Sequence, residues 1–594
     1  IKECDWSSDV CSSDLPAAEL TTDKGVISHK ASGKTTTYGK VAAAAAKLPV
    51  PEKPKLKDAK DWKIAGKPLK RLDTVPKVNG TMQYAIDFKL PGMLSAAIKD
   101  CPVFGGKVKS FDASKVTGMK GVKKVVQVGD KAVAVVADTW WQAKTALEAL
   151  PIVWDKGEGA KVSSESIAKW LEEGLTAPTN FVGNKQGDAA AAIAGAAKKV
   201  EATYAYPYQN HACLEPMNAT VLYTPDKCEV WTSTQNGEAA YAAALAASGL
   251  PADKVEVHRL MLGTGFGRRT RSEYVTEAVL IAKEMPGTPV KMLKSREEDM
   301  TNGVYHPVTQ CKLTGSLDKD GNVTGLQMRI SGQSILAYAR PEAMEAGKDP
   351  ATFQGLNPGG AEGAFGYDIP NLLIDHAMRN PHVPPWFWRG VNNNQNAIYL
   401  ECFIDELAHA AGQDPLAFRR KMMANKPKHL GVLNAVAERV GWDKPAPQGI
   451  SRGICQHMGY GSYVAAAAEV SVTGNKVKVH RIVAATNPGH AVNPAQIERQ
   501  IAGSFVYGLS ALFQGGITIK DGEVVEKNFD TFGSLRMAEM PKVESIIMPS
   551  NDFWGGVGEP TIFVAAPAVL NAIFKATGQR YRSFPLKNHN IQMA

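Results

Sequence analysis

The sequence predicts an α+β, mixed α/β chain of several domains, and three observations carry that prediction. Its 594 residues exceed the roughly 250 to 300 that a single hydrophobic core supports. A strand, a glycine loop, a helix and a second strand follow one another from 254 to 295. A separate small α/β module is written well upstream, ending at 155, so helices and strands alternate in more than one place.

The elements can be justified in order. "DWSSDVCSSDL" at 5–15 is rich in Ser, Asp and Cys, shows neither helical nor strand period, and looks like a translated sequencing adapter. Residues 1–15 are therefore set aside as a non-native leader, with the natural start, and any export signal, expected upstream. From Lys47 to Lys70 the chain is dense in Pro and Lys, so 16–70 reads as the remnant of an upstream segment followed by an extended linker. "KAVAVVAD" (131–138) reads as a buried strand, "TWWQAKTALEAL" (139–150) as a helix with apolar spacing of three and four, and "PIVWD" as a strand. They define a module at 71–155. "KVEVHRLML", "GTGFGRR", "TRSEYVTEAVLIAKEM" and "PVKMLKS" make the β-loop-α-β unit. "AIYLECFIDELAHAAGQ" has helical spacing, and "DPLAFRRKMM" restarts a helix with Asp414 as N-cap and Pro415 in its first turn. "VKVHRIVAA" reads as a strand before the helix "AQIERQIAGSFVYGLSALF", which has a glycine-lined face. No short repeat is present.

Composition excludes several function classes. Apolar residues make up 44% and charged residues 21%, and no run approaches the ~18 apolar residues of a membrane span. The leader carries one Lys and four acids, so the formal net charge of +9 becomes +12 without it. That charge is spread thinly, and no Lys/Arg block is interleaved with aromatics, which argues against nucleic acid as a partner. Of eight cysteines, Cys4 and Cys11 belong to the leader. The other six (Cys101, Cys213, Cys228, Cys311, Cys402, Cys455) form no CxxC pair, which argues against a zinc or iron-sulfur centre held by this chain alone.

Two stretches could carry chemistry. In "GTGFGRR", Gly263, Gly265 and Gly267 let the backbone approach a ligand, a following helix end favours anions, and Arg268 and Arg269 add charge. The same residues also describe a tight strand-to-helix turn with two solvated arginines. The spacing is G-x-G-x-G and no acidic residue closes a strand about 20 residues on, which weakens a nicotinamide site. In "GGVGEPTIF" (555–563), Glu559 stands alone among Gly555, Gly556, Gly558 and Pro560. Proline disfavours helical backbone at the residue before it, so Glu559 is expected to be extended, in apolar surroundings that raise its carboxyl toward the range of a general base. A glutamate capping the helix "APAVLNAIFKATG" is the plainer alternative.

"HACLEPMNATV" (211–221), "STQN" (233–236), "GFGRR", "WRGVNNNQNAIYLECFIDELA" (388–408) and "GGVGEP" occur together in this order. The set resembles the molybdenum-binding large subunit of the xanthine dehydrogenase and aldehyde oxidase family, most closely the isoquinoline 1-oxidoreductase beta-subunit group. The resemblance runs over nearly all of 16–594. It implies a hammerhead-like domain at 71–155, a first molybdopterin-binding domain at 160–430 and a second at 431–594.

It also implies that pterin dithiolene sulfurs hold the molybdenum, with no protein metal ligand, as molybdopterin cytosine dinucleotide whose pyrophosphate meets "GTGFGRR". Glu559 is then the base in hydroxylation of an N-heterocycle or aldehyde by water-derived oxygen. Gln235 matches a glutamine facing the metal's oxygen, and Arg389 an arginine near the small-molecule substrate. Phe266, Gly267, Gln500, Gly503, Gly556 and Gly558 fall on cofactor-contacting stretches. Electrons would leave through a separate small subunit with two [2Fe-2S] clusters, then a cytochrome or other respiratory acceptor, in a periplasmic enzyme exported by a twin-arginine signal. Thr264, Ala502 and "NNNQN" (392–396) depart from the family pattern and bear on substrate choice and cofactor fit. The readings set against this one are a flavin- or nicotinamide-dependent dehydrogenase and a degenerate, non-catalytic relative.

Overall fold

The computed structural model describes residues 15–50, 52–54, 57–178, 180–358 and 362–594; the leader call at 1–15 lies almost wholly outside them. The chain divides into two units, one ending at Ala65 and one running from Gly66 to Ala594. In the first, strands Leu20–Asp23, Val26–His29 and Thr35–Thr37 form an antiparallel sheet in sequence order. Lys24 and Gly25, at φ 48° and 78°, make its first hairpin turn, the left-handed pair that matches strand twist. A helix, Tyr38–Ala45, follows with Thr37 accepting from the Lys40 N–H. The Pro/Lys-rich stretch after it is mostly exposed, with one helical turn at Ala59–Asp61.

The second unit is organised by three sheets. A seven-stranded sheet runs in the order Val255–Arg259, Cys228–Thr232, Asn218–Tyr223, Val290–Leu293, Leu94–Asp100, Ala132–Ala137, Val122–Val128. The module read at 71–155 therefore does not close its own sheet: Leu94 pairs with Val290 in parallel, and its strands extend the sheet begun by 218–293. Strand Ala132–Ala137 is fully buried because alternate side chains point to opposite covered faces. Ala134 and Val136 pack toward helix α1 (Glu273–Lys283) through Val275 and Val279, while Val133 and Val135 meet Ala143 and Leu147 of the helix at 140–149. Thr139 and Gln142 cap that helix reciprocally.

The second sheet, of five strands, has the order Lys198–Tyr206, Thr309–Leu317, Val323–Gly332, Leu372–Met378, Phe181–Gln186. The third is built from Ser451–Gly459, Ser462–Thr473, Lys476–Asn487 and Lys542–Ile547, with Gln592–Met593 added beside the third of these. Helix α2 (Asn393–Ala410) lies against strands of both, and its residues 393–408 are buried on every side. Helix α3 (Pro494–Phe513) starts at Asn493, whose side chain accepts from the Gln496 N–H. Helix α4 (Ala565–Thr577) lies so close to the third sheet that a Cβ on Gly453 would fall 2.3 Å from the Ala568 carbonyl oxygen. One core runs through Leu313, Phe403, Val464 and Val569, so the segments at 160–430 and 431–594 are packed as a single body.

Among the described residues one stretch, 560–577, is by length and composition alone apolar enough to cross a membrane, and 78% of it is buried inside the protein, where α4 serves as core.

Candidate functional site

The glycine loop 263–269 follows the strand at 255–259 and is held in an unusual backbone shape. Thr264, Phe266 and Gly267 lie at φ 75°, 54° and 104°, a region that costs non-glycine residues about 1–3 kcal/mol each. Hydrogen bonds offset that cost. Gln235 Oε1 accepts from the N–H of Gly267 (3.1 Å) and of Arg269 (3.2 Å), and Gly265 lies so close that a Cβ there would be 2.3 Å from the same oxygen. Both bonds fall on the amide oxygen, which leaves the Gln235 NH2 to donate elsewhere. Gly263 N–H donates to Glu215 Oε2 at 2.6 Å. A Cβ on Gly267 would overlap the Phe387 carbonyl at 1.8 Å, so the segment before Arg389 is laid directly on the loop.

The two arginines are not where the sequence reading put them. Arg268 and Arg269 are 2% and 0% exposed. Arg269 donates to Thr264 O (2.9 Å), Ser233 Oγ (2.8 Å), Glu215 O (2.6 Å) and Glu215 Oε2 (3.0 Å), and Arg268 is paired with Glu273 and faces Asp299 at 3.8 Å. A guanidinium drawn into the interior must satisfy buried carboxylates there. Neither head reaches the surface to meet a pyrophosphate: Arg269 staples the loop from within, Arg268 is turned to Glu273, and the helix α1 begins only at Glu273.

Glu559 also departs from its expected geometry. Its φ of −121° and ψ of −38° are not extended, because Glu559 opens the helical turn Pro560–Ile562 and its carbonyl accepts from the Ile562 N–H at 2.9 Å. Its side chain makes no capping bond to that turn. Instead Oε1 accepts from the Gly390 N–H at 2.9 Å, and the residue is partly buried rather than sealed off. The loop ahead of it rests on the hairpin turn at 459–462: Gly556 N–H donates to Tyr460 O (2.8 Å) and Ser462 Oγ–H to Gly556 O (2.6 Å). The Tyr460 phenol is pushed up by burial and by the Glu559 carboxylate, which puts a second polar group beside the acid.

Arg389 ties these parts together. Its Nε donates to Gly558 O (2.9 Å), and its Nη2 to Gly558 O and to both the carbonyl and the side-chain oxygen of Gln500 (3.1 Å each). The group that matched an arginine near substrate therefore clamps the Glu559 loop to α3. Its own N–H donates to Phe266 O at 2.9 Å, which joins the clamp to the glycine loop. Phe266 stacks on Tyr507 of α3 (4.3 Å), and Tyr507 on Trp388 (4.5 Å). Gly503 sits one turn from Gln500, where a Cβ would meet only Arg389, at 3.8 Å; at Gly558 a Cβ would meet nothing within 4 Å.

All the singled-out residues thus gather in one place, with Arg268 and Arg269 beneath it. Sequence reading missed Glu215, Tyr507 and Tyr460. Glu215 had a signal, as the single acid inside the buried motif "HACLEPM"; the two tyrosines had none.

What the arrangement can bind follows from its donors. Among the described residues, the one His/Asp/Glu/Cys trio at ligand spacing is Glu229, Glu256 and His258, on the outer strands of the seven-stranded sheet, and the Lys227 ammonium already bridges its two carboxylates at 3.0 and 3.1 Å. The six cysteines are buried and unpaired. Cavities of about 460 and 590 Å³ lie elsewhere, the first beside Asp100 and Glu298, the second beside Trp442. At the site itself there are glycine loops with open space at Gly558, an amide NH2, and one carboxylate with its partners. These residues fit a group that brings its own ligands to the metal and leaves the protein to cradle it.

Fold and donor set together fit a protein that cradles a prosthetic group. Two regions match family descriptions of the molybdopterin cofactor-binding domain, residues 174–423 and residues 418–541, which jointly span more than half the chain. The chain is 26% identical to the isoquinoline 1-oxidoreductase beta subunit of Brevundimonas diminuta, over 98% of this chain and 79% of that one. It is 27% identical to a membrane-bound aldehyde dehydrogenase (pyrroloquinoline-quinone) of Gluconacetobacter polyoxogenes, over 94% and 77%. The fold is shared with quinoline 2-oxidoreductase from Pseudomonas putida 86, at a TM-score of 0.74 with 13% identity, over 88% of this chain and 97% of that one. The chain belongs to the molybdopterin-binding subunits of the xanthine dehydrogenase type, and its homologues are molybdopterin-dependent oxidoreductases.

Proposed function

We propose that this chain is the catalytic subunit of a molybdenum hydroxylase that oxidises an electron-poor carbon of an N-heterocycle or an aldehyde, with oxygen drawn from water. One observation carries the reading: Glu559, the lone carboxylate of the site, is held by the Gly390 N–H between the Arg389 clamp and the Gln235 loop.

When bound, the molybdenum cofactor supplies a Lewis-acidic centre that accepts two electrons from the substrate carbon. The protein does the rest. Glu559 takes the proton from the attacking oxygen; its anchoring bond uses Oε1 and leaves Oε2 for that work. Gln235 offers its NH2 to an oxygen of the cofactor, since its carbonyl is already engaged. Gly503 and Gly558 leave room that any side chain would fill, and the buried Arg269–Glu215 pair keeps the loop rigid without spending charge on the ligand. The cytosine dinucleotide form fits this reading only if its pyrophosphate is met by backbone N–H groups of 264–266, since those of Gly263 and Gly267 are engaged and the arginines are buried.

With no cluster ligands among the described residues, electrons leave through a partner. We assign that role to a small [2Fe-2S] subunit, followed by a cytochrome or other respiratory acceptor, in the periplasm after twin-arginine export. The relatives' names leave heterocycle and aldehyde both open as substrate.

The test is Glu559→Gln in the partner-bound holoenzyme. The amide can still accept from Gly390, so the loop should stay intact and molybdenum content unchanged, while turnover falls by about 10²–10⁴-fold. Near-normal turnover in that variant ends the proposal.

A further inference from the structure

The turn that presents Gly390 to Glu559 is strained. Gly390 lies at φ 95° and Val391 at φ 50°, and a β-branched residue in the left-handed region is a genuine outlier. Strain of this kind persists only where neighbouring groups over-determine it. One side chain does so here. Asn394, 4% exposed in the first turn of α2, donates from Nδ2 to both carbonyls that flank the turn, Arg389 O at 2.8 Å and Val391 O at 3.1 Å. Among the described residues its Oδ1 has no hydrogen-bond partner, and it would lie 2.3 Å from a Cβ on residue 390. His306 adds a contact to Val391 O at 3.0 Å from the far side.

We infer that Asn394 is a positioning residue for Glu559: its amide bridges the Arg389 and Val391 carbonyls and so fixes the Gly390 N–H that holds the carboxylate. The inference rests on the reading of Glu559 as the base. It also gives a physical role to part of the "NNNQN" run, which departs from the family pattern. The Gly390 N–H fixes the direction of the Glu559 carboxylate through Oε1, so the turn that Asn394 holds keeps Oε2 placed for its work.

The experiment pairs hydrogen exchange of the full chain with separate measurement of kcat and KM in the partner-bound holoenzyme, for Asn394→Ala and Asn394→Ser. In Asn394→Ala, amide exchange at 389–391 should quicken tenfold or more, while peptides across 396–410 and 451–487 exchange as in the parent. Serine, which keeps one donor, should fall between. Glu559→Ala should speed the same Gly390 amide. In the holoenzyme, kcat should fall about tenfold in Asn394→Ala while KM and molybdenum content stay near those of the parent. Unchanged exchange at Gly390, or acceleration spread evenly over the chain, overturns the positioning role. A loosened turn with an unchanged kcat overturns instead the role given to Glu559, so the two failures are told apart.

Discussion

Arg269 Nη2 stands 3.0 Å from Glu215 Oε2 and 2.6 Å from the Glu215 carbonyl oxygen, with both side chains withdrawn from solvent. Removing one partner of such a pair leaves an uncompensated buried charge. Arg269→Ala is therefore expected to cost about 3–5 kcal/mol in denaturant unfolding, and Arg269→Met combined with Glu215→Met far less than twice that. If instead Arg269→Ala unfolds like the parent and only weakens cofactor retention, the arginine serves the ligand and not the loop.

The glycines of the site separate into two kinds. Gly267→Ala meets a carbonyl at 1.8 Å with φ at 104°, so it should lower the melting temperature sharply and strip the cofactor with the fold. Gly558→Ala has open space and should melt like the parent. Its molybdenum content should nonetheless fall, because the added methyl occupies that open space. Normal loading of Gly558→Ala would place the cofactor elsewhere.

Gln235→Glu keeps an oxygen for the Gly267 and Arg269 N–H groups but removes the NH2 donor. Folding and metal content should change little, and kcat should drop on the order of 10²-fold, the scale of one lost donor at a developing charge. Single-turnover reduction of the holoenzyme, followed spectroscopically, checks it apart from partner steps.

A buried acid pair away from the site makes stability depend on pH. Glu298 Oε1 accepts from the Asp100 N–H at 2.8 Å, and burial together with the Asp100 charge pushes the Glu298 carboxyl well above its ordinary value. Asp100 stays ionised because Lys131 and Lys294 stand 2.8 and 3.1 Å from it, whereas Glu298 has no cation of its own at that range. A raised folded-state value means that the neutral form is favoured on folding, so this contribution is fully present below about pH 4.5 and is lost as pH rises through the raised value. Glu298→Gln mimics the neutral acid. Its melting temperature should match the parent near pH 4 and exceed it progressively toward pH 8; a constant offset across that range would contradict the assignment.

Much of this was readable without coordinates, and the readable part is local. Helix starts at Thr139 and Asp414, the β-loop-α-β order around 263–269, and Glu559 between its glycines depend on residues a few positions apart, where propensity and capping act directly. What the chain order hid is set by partners far away. The Gly390 bond to Glu559 spans 169 residues, Arg269 finds Glu215 across 54, and Leu94 joins Val290 to merge two sheets into one. Whether an arginine greets a phosphate or a buried carboxylate depends on how much water folding removes around it, and whether the residue before a proline is extended depends on the turn it must enter. Those are properties of the packed chain: desolvation and long-range closure have no counterpart in residue spacing, so only the tertiary structure could decide them.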